Sequence, residues 1–311
     1  MTGGNAGKNG SRLWIYLGVS RPDHWFKNVL VLGGGTVVVW RPDIDVGPYL
    51  PVLWRLGCAL LATCLASGAN YIVNEILDGP RDKLHPVKRF RPVPANEVST
   101  AWLWVLAGLF ALTSAGTAWL LLPRQSLLWV LAFLLIGGGL YNVPPVRAKE
   151  IPYADVIVES VNGPIRLAIG WYAVTTACPP PPAFLLSCWT LAAFVMAGKR
   201  YAEYRFIGDP NRAAAYRSSF RWYTERSLMV SMIAYALLSL LLFALLVLDT
   251  GLNRLFWMLP FIALFIVWFI RLSARKDAVV REPEHIWERP AFAGYCIGMA
   301  VLFAVLGLTA G

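Results

Sequence analysis

Nine apolar stretches dominate this 311-residue chain, at about 26–41, 50–74, 100–122, 126–145, 154–176, 183–203, 227–249, 254–272 and 291–310. They approach the roughly 20 residues that an α-helix needs to cross a bilayer. Lipid offers no partner to backbone N–H and C=O groups, so such segments fold as helices. Hydrophobic residues make up 57% of the chain and charged residues 15%, with a mean hydropathy of +0.55, which excludes an ordinary soluble domain. The predicted fold class is all-α, a polytopic membrane protein of about nine transmembrane helices. One domain is expected over 13–311, after a Gly- and Asn-rich tail at 1–12 that reads as disordered. No short apolar region with a cleavage site precedes it, so the first apolar segment is expected to be retained. The stretch at 26–41 is short and contains Gly33-Gly34-Gly35, and the one at 154–176 is interrupted by Asp155, Glu159, Asn162 and Arg166.

Orientation follows from the basic residues. With the N-terminus inside, the inner segments carry 23 Lys and Arg and the outer segments four, Arg41, Arg55, Arg124 and Arg254. This predicts a protein of the inner (plasma) membrane, N-terminus cytoplasmic and C-terminus outside. The +10 net charge then concentrates on the inner face, where it attracts anionic lipid or anionic substrate. No soluble basic domain is present to bind nucleic acid. The five cysteines fit neither a zinc site nor a redox pair, and read as small buried hydrophobes.

Polar residues at inner helix ends stand out against this background. Asn70, Asn74, Asp78 and Asp82 recur every four residues, so on a continuous helix they share one face. A break at Gly79-Pro80 would instead put Asp82 in the following loop. Acids contribute little to membrane orientation, so they need another reason to be there. A face of oxygen ligands suits Mg²⁺, which takes one or two carboxylates plus substrate phosphates. The basic loop His85-Pro86-Val87-Lys88-Arg89-Phe90-Arg91-Pro92 comes next, and Lys88, Arg89 and Arg91 suit the phosphates.

Three more inner regions are candidates for the same pocket. Gly198-Lys199-Arg200-Tyr201-Ala202-Glu203 ends the sixth stretch: either it is a membrane-interface belt with Tyr anchors, or Lys199 or Arg200 turns inward to phosphate while Glu203 fixes a metal or orients a lysine. Arg212, Arg217 and Arg221 follow, and read as a solvated or headgroup-facing surface. Arg147 and Lys149 end the fourth stretch. Beyond them, Asp155, Glu159, Asn162 and Arg166 are spaced as one polar stripe of the fifth helix, serving either a wet cavity or an internal salt bridge to Arg166. Lys27 and Asn28, in Arg21-Pro22-Asp23-His24-Trp25-Phe26-Lys27-Asn28, open the first helix. Together these regions predict a polar cavity opening to the cytoplasmic side.

Across roughly 12–310 the chain resembles the UbiA-type superfamily of intramembrane transferases. That resemblance implies nine helices and two acidic motifs at cytoplasmic helix ends that together bind Mg²⁺ and a diphosphate. The superfamily's first motif is close to Asn-Asp-x-x-Asp-x-x-x-Asp. Here Asn74, Glu75, Asp78 and Asp82 match it, with Glu75 in place of the usual Asp, and the resemblance makes all four candidate metal ligands. The 85–92 loop, the 198–203 motif, the opening Arg21-Pro22-x-x-Trp25-x-Lys27-Asn28 and Glu282-Pro283-Glu284 are most similar to the decaprenyl-phosphate phosphoribosyltransferases. The section from Val143 to Ala173 looks closer to generic prenyltransferases.

The resemblance implies Mg-dependent transfer of 5-phosphoribose from phosphoribosyl diphosphate to a polyprenyl phosphate, releasing diphosphate, in cell-wall or lipid-linked sugar precursor synthesis. Asp78, Asp82 and Lys199 would be catalytic. Lys27, Asn28, Asn70, Lys88, Arg89, Arg91, Lys149, Arg166, Arg200, Tyr201 and Glu203 would bind substrate. Two phosphorylated substrates need more Lys and Arg than one prenyl diphosphate, in keeping with the basic 198–203 motif. An alternative keeps fold and metal but uses a prenyl diphosphate donor on an aromatic or other acceptor. A transporter without catalysis would show inverted repeats, and no convincing one is present. The partners expected are the two substrates and the lipid bilayer. A homo-oligomer is compatible with the sequence.

Overall fold

The computed structural model describes residues 6–83, 88–121, 125–275, 280 and 288–308. Among them no strand forms, and 3₁₀ segments join the helices. The helices are α1 (Ala6–Val19), α2 (Leu30–Val39), α3 (Tyr49–Asp82), α4 (Thr100–Leu121), α5 (Gln125–Asn142), α6 (Ala154–Ser160), α7 (Asn162–Val174), α8 (Pro182–Ile207), α9 (Pro210–Tyr216), α10 (Glu225–Thr250), α11 (Met258–Ala274) and α12 (Pro290–Leu308).

Seven described helical segments are long and apolar enough to cross a membrane: α3, α4, α5, α8, α10, Asn253–Ala274 and α12. The two other expected spans are built from shorter pieces. The 26–41 stretch is the 3₁₀ segment Pro22–Val29 followed by α2. The 154–176 stretch breaks at Val161 into α6 and α7. Pro164 lies in the first turn of α7, the position in a helix that tolerates proline best, so Gly163-Pro164 favours a fresh start over continuation. The expected single stripe of Asp155, Glu159, Asn162 and Arg166 is therefore divided between two helices. At the N-terminus, α1 begins at Ala6, within the segment expected to be a tail.

α2 and α7 meet backbone to backbone. A Cβ on Gly34 would lie 2.0 Å from the Leu167 carbonyl oxygen, and one on Gly170 would lie 1.8 Å from that of Val31. Only glycine admits this approach, the small-residue packing that holds helices together where no hydrophobic effect operates between them. Val31, Val38, Ile169 and Trp171 are buried around the contact. A second apolar cluster joins α8, α10 and α11 through Phe194, Met232 and Phe269. Trp102, Leu112, Trp119, Trp129, Leu237 and Leu248 stay exposed on the outer faces of their helices, as side chains facing lipid do.

α3 positions the site. Its 34 residues span about 51 Å at roughly 1.5 Å per residue, against roughly 30 Å of bilayer hydrocarbon. Its polar C-terminal turns therefore continue beyond its apolar stretch. Pro80 lies inside the helix, which runs through Gly79-Pro80 to Asp82, so Asp82 stays on the helix rather than in the loop.

Candidate functional site

Asn74 and Asp78, one turn apart on α3, face the loop after α5. Lys149 in that loop is the hub. Its Nζ donates to Asp78 Oδ1 at 2.6 Å, and to Asn74 Oδ1 and Asn142 Oδ1 at 3.1 Å each. Burial pushes the Lys149 ammonium below the ordinary lysine range, and the Asp78 carboxylate acts against that shift. Arg147 Nη2 donates to the same Asp78 oxygen at 2.8 Å. Glu150 pairs with Arg147 and with Arg81 of α3, tying the loop to the helix. The loop carries two non-glycine residues at positive φ, Arg147 (38°) and Tyr153 (63°). Such backbone costs of order 1–3 kcal/mol per residue and persists where surrounding contacts over-determine it.

Facing α3 is the segment from α9 to the 3₁₀ turn Ser218–Arg221, carried by the end of α8. Gly208 at φ 72° closes α8, and the Asp209 side chain caps α9 by accepting from the Arg212 N–H. Asp155 of α6, fully buried, pins this segment. Its Oδ2 accepts from Arg200 Nε at 3.0 Å and from Arg217 Nη1 and Ser219 Oγ at 3.3 Å, and its Oδ1 from Tyr223 OH at 2.6 Å. Burial, with the Asp155 charge beside it, pushes the Tyr223 phenol up, so it stays protonated and donates. Arg200 also reaches Glu203 at 2.9 Å and the Tyr141 hydroxyl at 3.3 Å.

Between the two walls lies a cavity of about 580 Å³, within the range of small-molecule sites. Asp78, Asp82 and Glu150 line it with Arg81, Lys88, Arg147, Lys149, Arg217 and Arg221, and Tyr216 and Ser218 complete the polar lining. A second cavity of about 460 Å³ shares Ala214, Ala215 and Arg221 with it.

Of the residues singled out in the sequence, Asp78, Asp82, Lys88 and Lys149 line the cavity, and Asn74 reaches it through Lys149. Glu75 turns away from this lining. It is buried 3.7 Å from Arg21 Nη2, and among the described residues its Oε1 has no hydrogen-bond partner. Arg91 pairs with Asp82 at 2.9 Å, while Arg89 is exposed over the Phe90 ring. Asn70 donates to the Leu134 carbonyl and joins α3 to α5. Asn28 accepts from Arg166 Nε at 2.7 Å inside the bundle, and Lys27 Nζ contacts His24. Among the described residues the expected salt bridge of Asp155 or Glu159 to Arg166 does not form: Asp155 is engaged by Arg200 and Arg217, and Arg166 donates to Asn28 and the Asn162 carbonyl instead. Arg200 turns inward, to Asp155 and Glu203 rather than into the cavity lining. Glu203 pairs with Arg200, Tyr201 OH lies between Arg205 and Glu225, and half-buried Lys199 is not among the lining residues. His85, Pro86, Val87 and Glu282-Pro283-Glu284 lie outside the described residues.

Arg217 and Arg221, read from the sequence as a solvated surface, line the cavity instead. Arg147, Arg81 and Glu150 also belong to it. Arg147 stands two residues before Lys149, but no spacing rule links it to Asp78, 69 positions away.

The UbiA prenyltransferase family model matches residues 31–284, most of the chain. The chain belongs to the UbiA prenyltransferase family. Among UbiA-type relatives, a decaprenyl-phosphate phosphoribosyltransferase of Mycobacterium tuberculosis is 33% identical over 212 residues, covering 66% of this chain and 64% of that protein. One from Mycolicibacterium smegmatis is 31% identical over 209 residues, covering 66% and 61%. The chain thus matches less than two thirds of the length of these relatives. A solved UbiA homolog from Archaeoglobus fulgidus, bound to GPP and Mg²⁺, superposes with a TM-score of 0.68 at 18% identity, covering 95% of this chain and 99% of that one, and shares the fold. Family membership and the apolar helices make this a multi-pass membrane protein.

The family likeness raises the question of a divalent metal. Among the described residues no three His, Cys, Asp or Glu side chains converge. Asp78 and Asp82 both line the cavity, and Asn74 and Asp78 aim oxygens at one cation, the Lys149 ammonium. Two carboxylates and an amide oxygen are a donor set that fits Mg²⁺ when phosphate oxygens supply the remainder.

Proposed function

We propose that this protein transfers 5-phosphoribose from phosphoribosyl diphosphate to a polyprenyl phosphate. The observation that carries this reading is the cavity lining, where six cations outnumber three carboxylates beside a metal-competent helix end. The naming of the mycobacterial relatives supports it. In the reaction the bond from the ribose anomeric carbon to diphosphate breaks, and one forms from that carbon to an acceptor phosphate oxygen. Diphosphate leaves with the electron pair.

Asp78, Asp82 and Asn74 would hold Mg²⁺. When bound, the ion neutralises charge on the departing diphosphate. Arg147 and Lys149, fixed by Asp78, present ammonium and guanidinium groups to the same phosphates in a partly buried setting, where such contacts are strong. The acceptor is already anionic, so its oxygen needs positioning more than a base. Deprotonation of a side chain is not part of the scheme. The anomeric carbon passes through an oxocarbenium-like state. The cavity faces the cytoplasm in this reading, where the basic inner face gathers anionic substrates.

The test incubates purified protein in detergent with Mg²⁺, labelled phosphoribosyl diphosphate and decaprenyl phosphate, and follows label into the organic phase. Metal-dependent transfer is expected. If folded protein moves no label but consumes a prenyl diphosphate, the reading falls.

A further inference from the structure

Arg166 of α7 lies inside the bundle, only 9% exposed, and outside the cavity lining. Its hydrogen bonds go to neutral groups. Nε donates to Asn28 Oδ1 at 2.7 Å, and Nη1 to the Asn162 carbonyl at 3.0 Å. Among the described residues Nη2 makes no hydrogen bond, yet it is not sealed off from open space. The titratable groups within electrostatic reach are Tyr71, Glu159, Cys188 and Cys64. Tyrosine and cysteine are ordinarily neutral at pH 7, and half-buried Glu159 forms no ion pair with Arg166. Arg200, also buried, is by contrast met by two carboxylates, Asp155 and Glu203. A buried guanidinium without a counter-charge is costly, and an ionisable group at membrane depth marks a site.

Asn28 is 1% exposed and fully engaged. Its Oδ1 accepts from Arg166 and from Ser67 Oγ at 3.3 Å, and its Nδ2 donates to Cys64 Sγ at 3.2 Å. This amide is closed to a substrate, and its effect is to aim the guanidinium. Ser67, Tyr71, Asn74 and Asp78 recur at helical spacing on α3 and share one face. That face runs from Asn28 to the cavity. Tyr71 and Asp78 are seven residues apart, roughly 10 Å of helix, so Arg166 stands deeper in the bundle than the acidic end of α3. A small hydrophilic anion loses hydration on entering such surroundings, whereas an anion on an apolar tail gains by burying the tail. The anion suited to Arg166 is therefore the phosphate end of a lipid.

We infer that Arg166, aimed by Asn28, is the counter-ion of the acceptor's phosphate and selects a polyprenyl phosphate over an uncharged polyprenol. This rests on the phosphoribosyl reading above. It places the acceptor phosphate inside the bundle, between α3 and α7, and not among the cations of the cavity lining. One open N–H holds one phosphate oxygen and leaves another to attack. Asn28 is a positioning residue. An anionic phospholipid also carries a phosphate on an apolar tail, so the test separates the two sources.

Calorimetry on detergent-solubilised protein with Mg²⁺ would titrate decaprenyl phosphate, decaprenol and phosphoribosyl diphosphate in turn. Arg166→Gln is expected to weaken decaprenyl phosphate binding by about tenfold or more, the scale of one charge-assisted contact, while changing binding of the other two by less than about twofold. Asn28→Asp makes the same test without removing the arginine. Its carboxylate supplies the missing counter-charge, so the melting point should hold while decaprenyl phosphate binding falls by a similar factor. Unchanged decaprenyl phosphate binding in both variants, or equal loss of all three ligands, would overturn the assignment. Displacement of decaprenyl phosphate from wild-type protein by equimolar phosphatidylglycerol, abolished in Asn28→Asp, would make this a general phospholipid site and overturn the acceptor role. Arg166-dependent binding of decaprenyl phosphate to protein that transfers no labelled phosphoribose would support the lipid-phosphate subsite and remove the phosphoribosyl reading, so the two fail separately.

Discussion

Lys149 Nζ lies 2.6 Å from Asp78 Oδ1, so a lysine from the loop after α5 sits against the acidic end of α3. The same ammonium binds Asn74 and Asn142, and so joins α3, α5 and the loop at one point. Both members of the pair line the cavity. Under the proposed function, a substrate phosphate entering there would meet a cation that is already oriented. Preorganised charge of this kind lowers a barrier without reorganisation during the reaction.

Replacing this ammonium tests its role. Lys149→Met is expected to lower phosphoribosyl transfer by about 10²-fold or more, the scale seen when one preorganised electrostatic contact is removed. The organic-phase label assay reads it. Transfer within a few-fold of wild type would show that Lys149 only fastens the loop.

Asp78→Asn keeps the size of the side chain and removes its charge. Mg²⁺-dependent transfer is expected to fall by about 10³-fold, because both the metal donor and the anchor of Lys149 and Arg147 weaken. A Mg²⁺ titration of activity, beside a melting curve that shows the fold intact, checks this. Retention of activity with an unchanged Mg²⁺ requirement would move the metal elsewhere.

Asp155 makes a different prediction. It is fully buried against Arg200, which is 2% exposed, and against Arg217. Asp155→Ala leaves these guanidinium groups without that carboxylate, a change that costs about 3–5 kcal/mol when a buried pair is broken. The thermal midpoint in detergent should fall clearly. Arg217 would also lose its anchor at the cavity wall, so under the proposed function substrate affinity should weaken in whatever protein remains folded.

The contact of α2 with α7 is tested by Gly170→Ala. The new methyl would overlap the Val31 carbonyl oxygen, and backbone cannot rotate away as a side chain can. Destabilisation of about 3 kcal/mol or more is expected, read as loss of monodisperse protein on gel filtration or a lowered melting point. Gly137→Ala, with open space at its Cβ on α5, serves as the control.

Arg89 supplies the converse case. It is exposed over Phe90 and outside the cavity lining. Arg89→Ala should leave donor affinity within about twofold of wild type, since exposed charges contribute little. A tenfold loss in the calorimetric titration would place Arg89 on the substrate.

Much of the cavity lining was legible along the chain because its acidic groups on α3 are local. Asp78 and Asp82 sit four apart on one helix, and helical periodicity alone places them on one face. Lys88 follows within a turn or two of chain. Arg217 and Arg221 were not legible as site residues. They come from a segment more than 130 positions after Asp78, and their spacing looks like any basic surface near a membrane. Glu75 shows the opposite case, since Asn74 beside it reaches the cavity through Lys149 while its own side chain turns to Arg21. An offset of one residue turns a side chain by about 100° around a helix, and only packing determines what each direction meets.

The sequence by itself determined that the chain is helical and membrane-embedded, with its acids and most of its cations at helix ends. These follow from composition and from the cost of leaving a backbone group or a charge unsatisfied in hydrocarbon. The tertiary structure alone decided which cations meet which acids. It split the 154–176 stretch at Val161, so that Asp155 anchors the wall opposite α3 while Arg166 stays inside the bundle with Asn28. Charge pairing acts over a few ångströms between segments far apart in the chain. It is therefore settled by how the helices pack, which at α2 and α7 depends on two glycines whose missing side chains let the backbones touch.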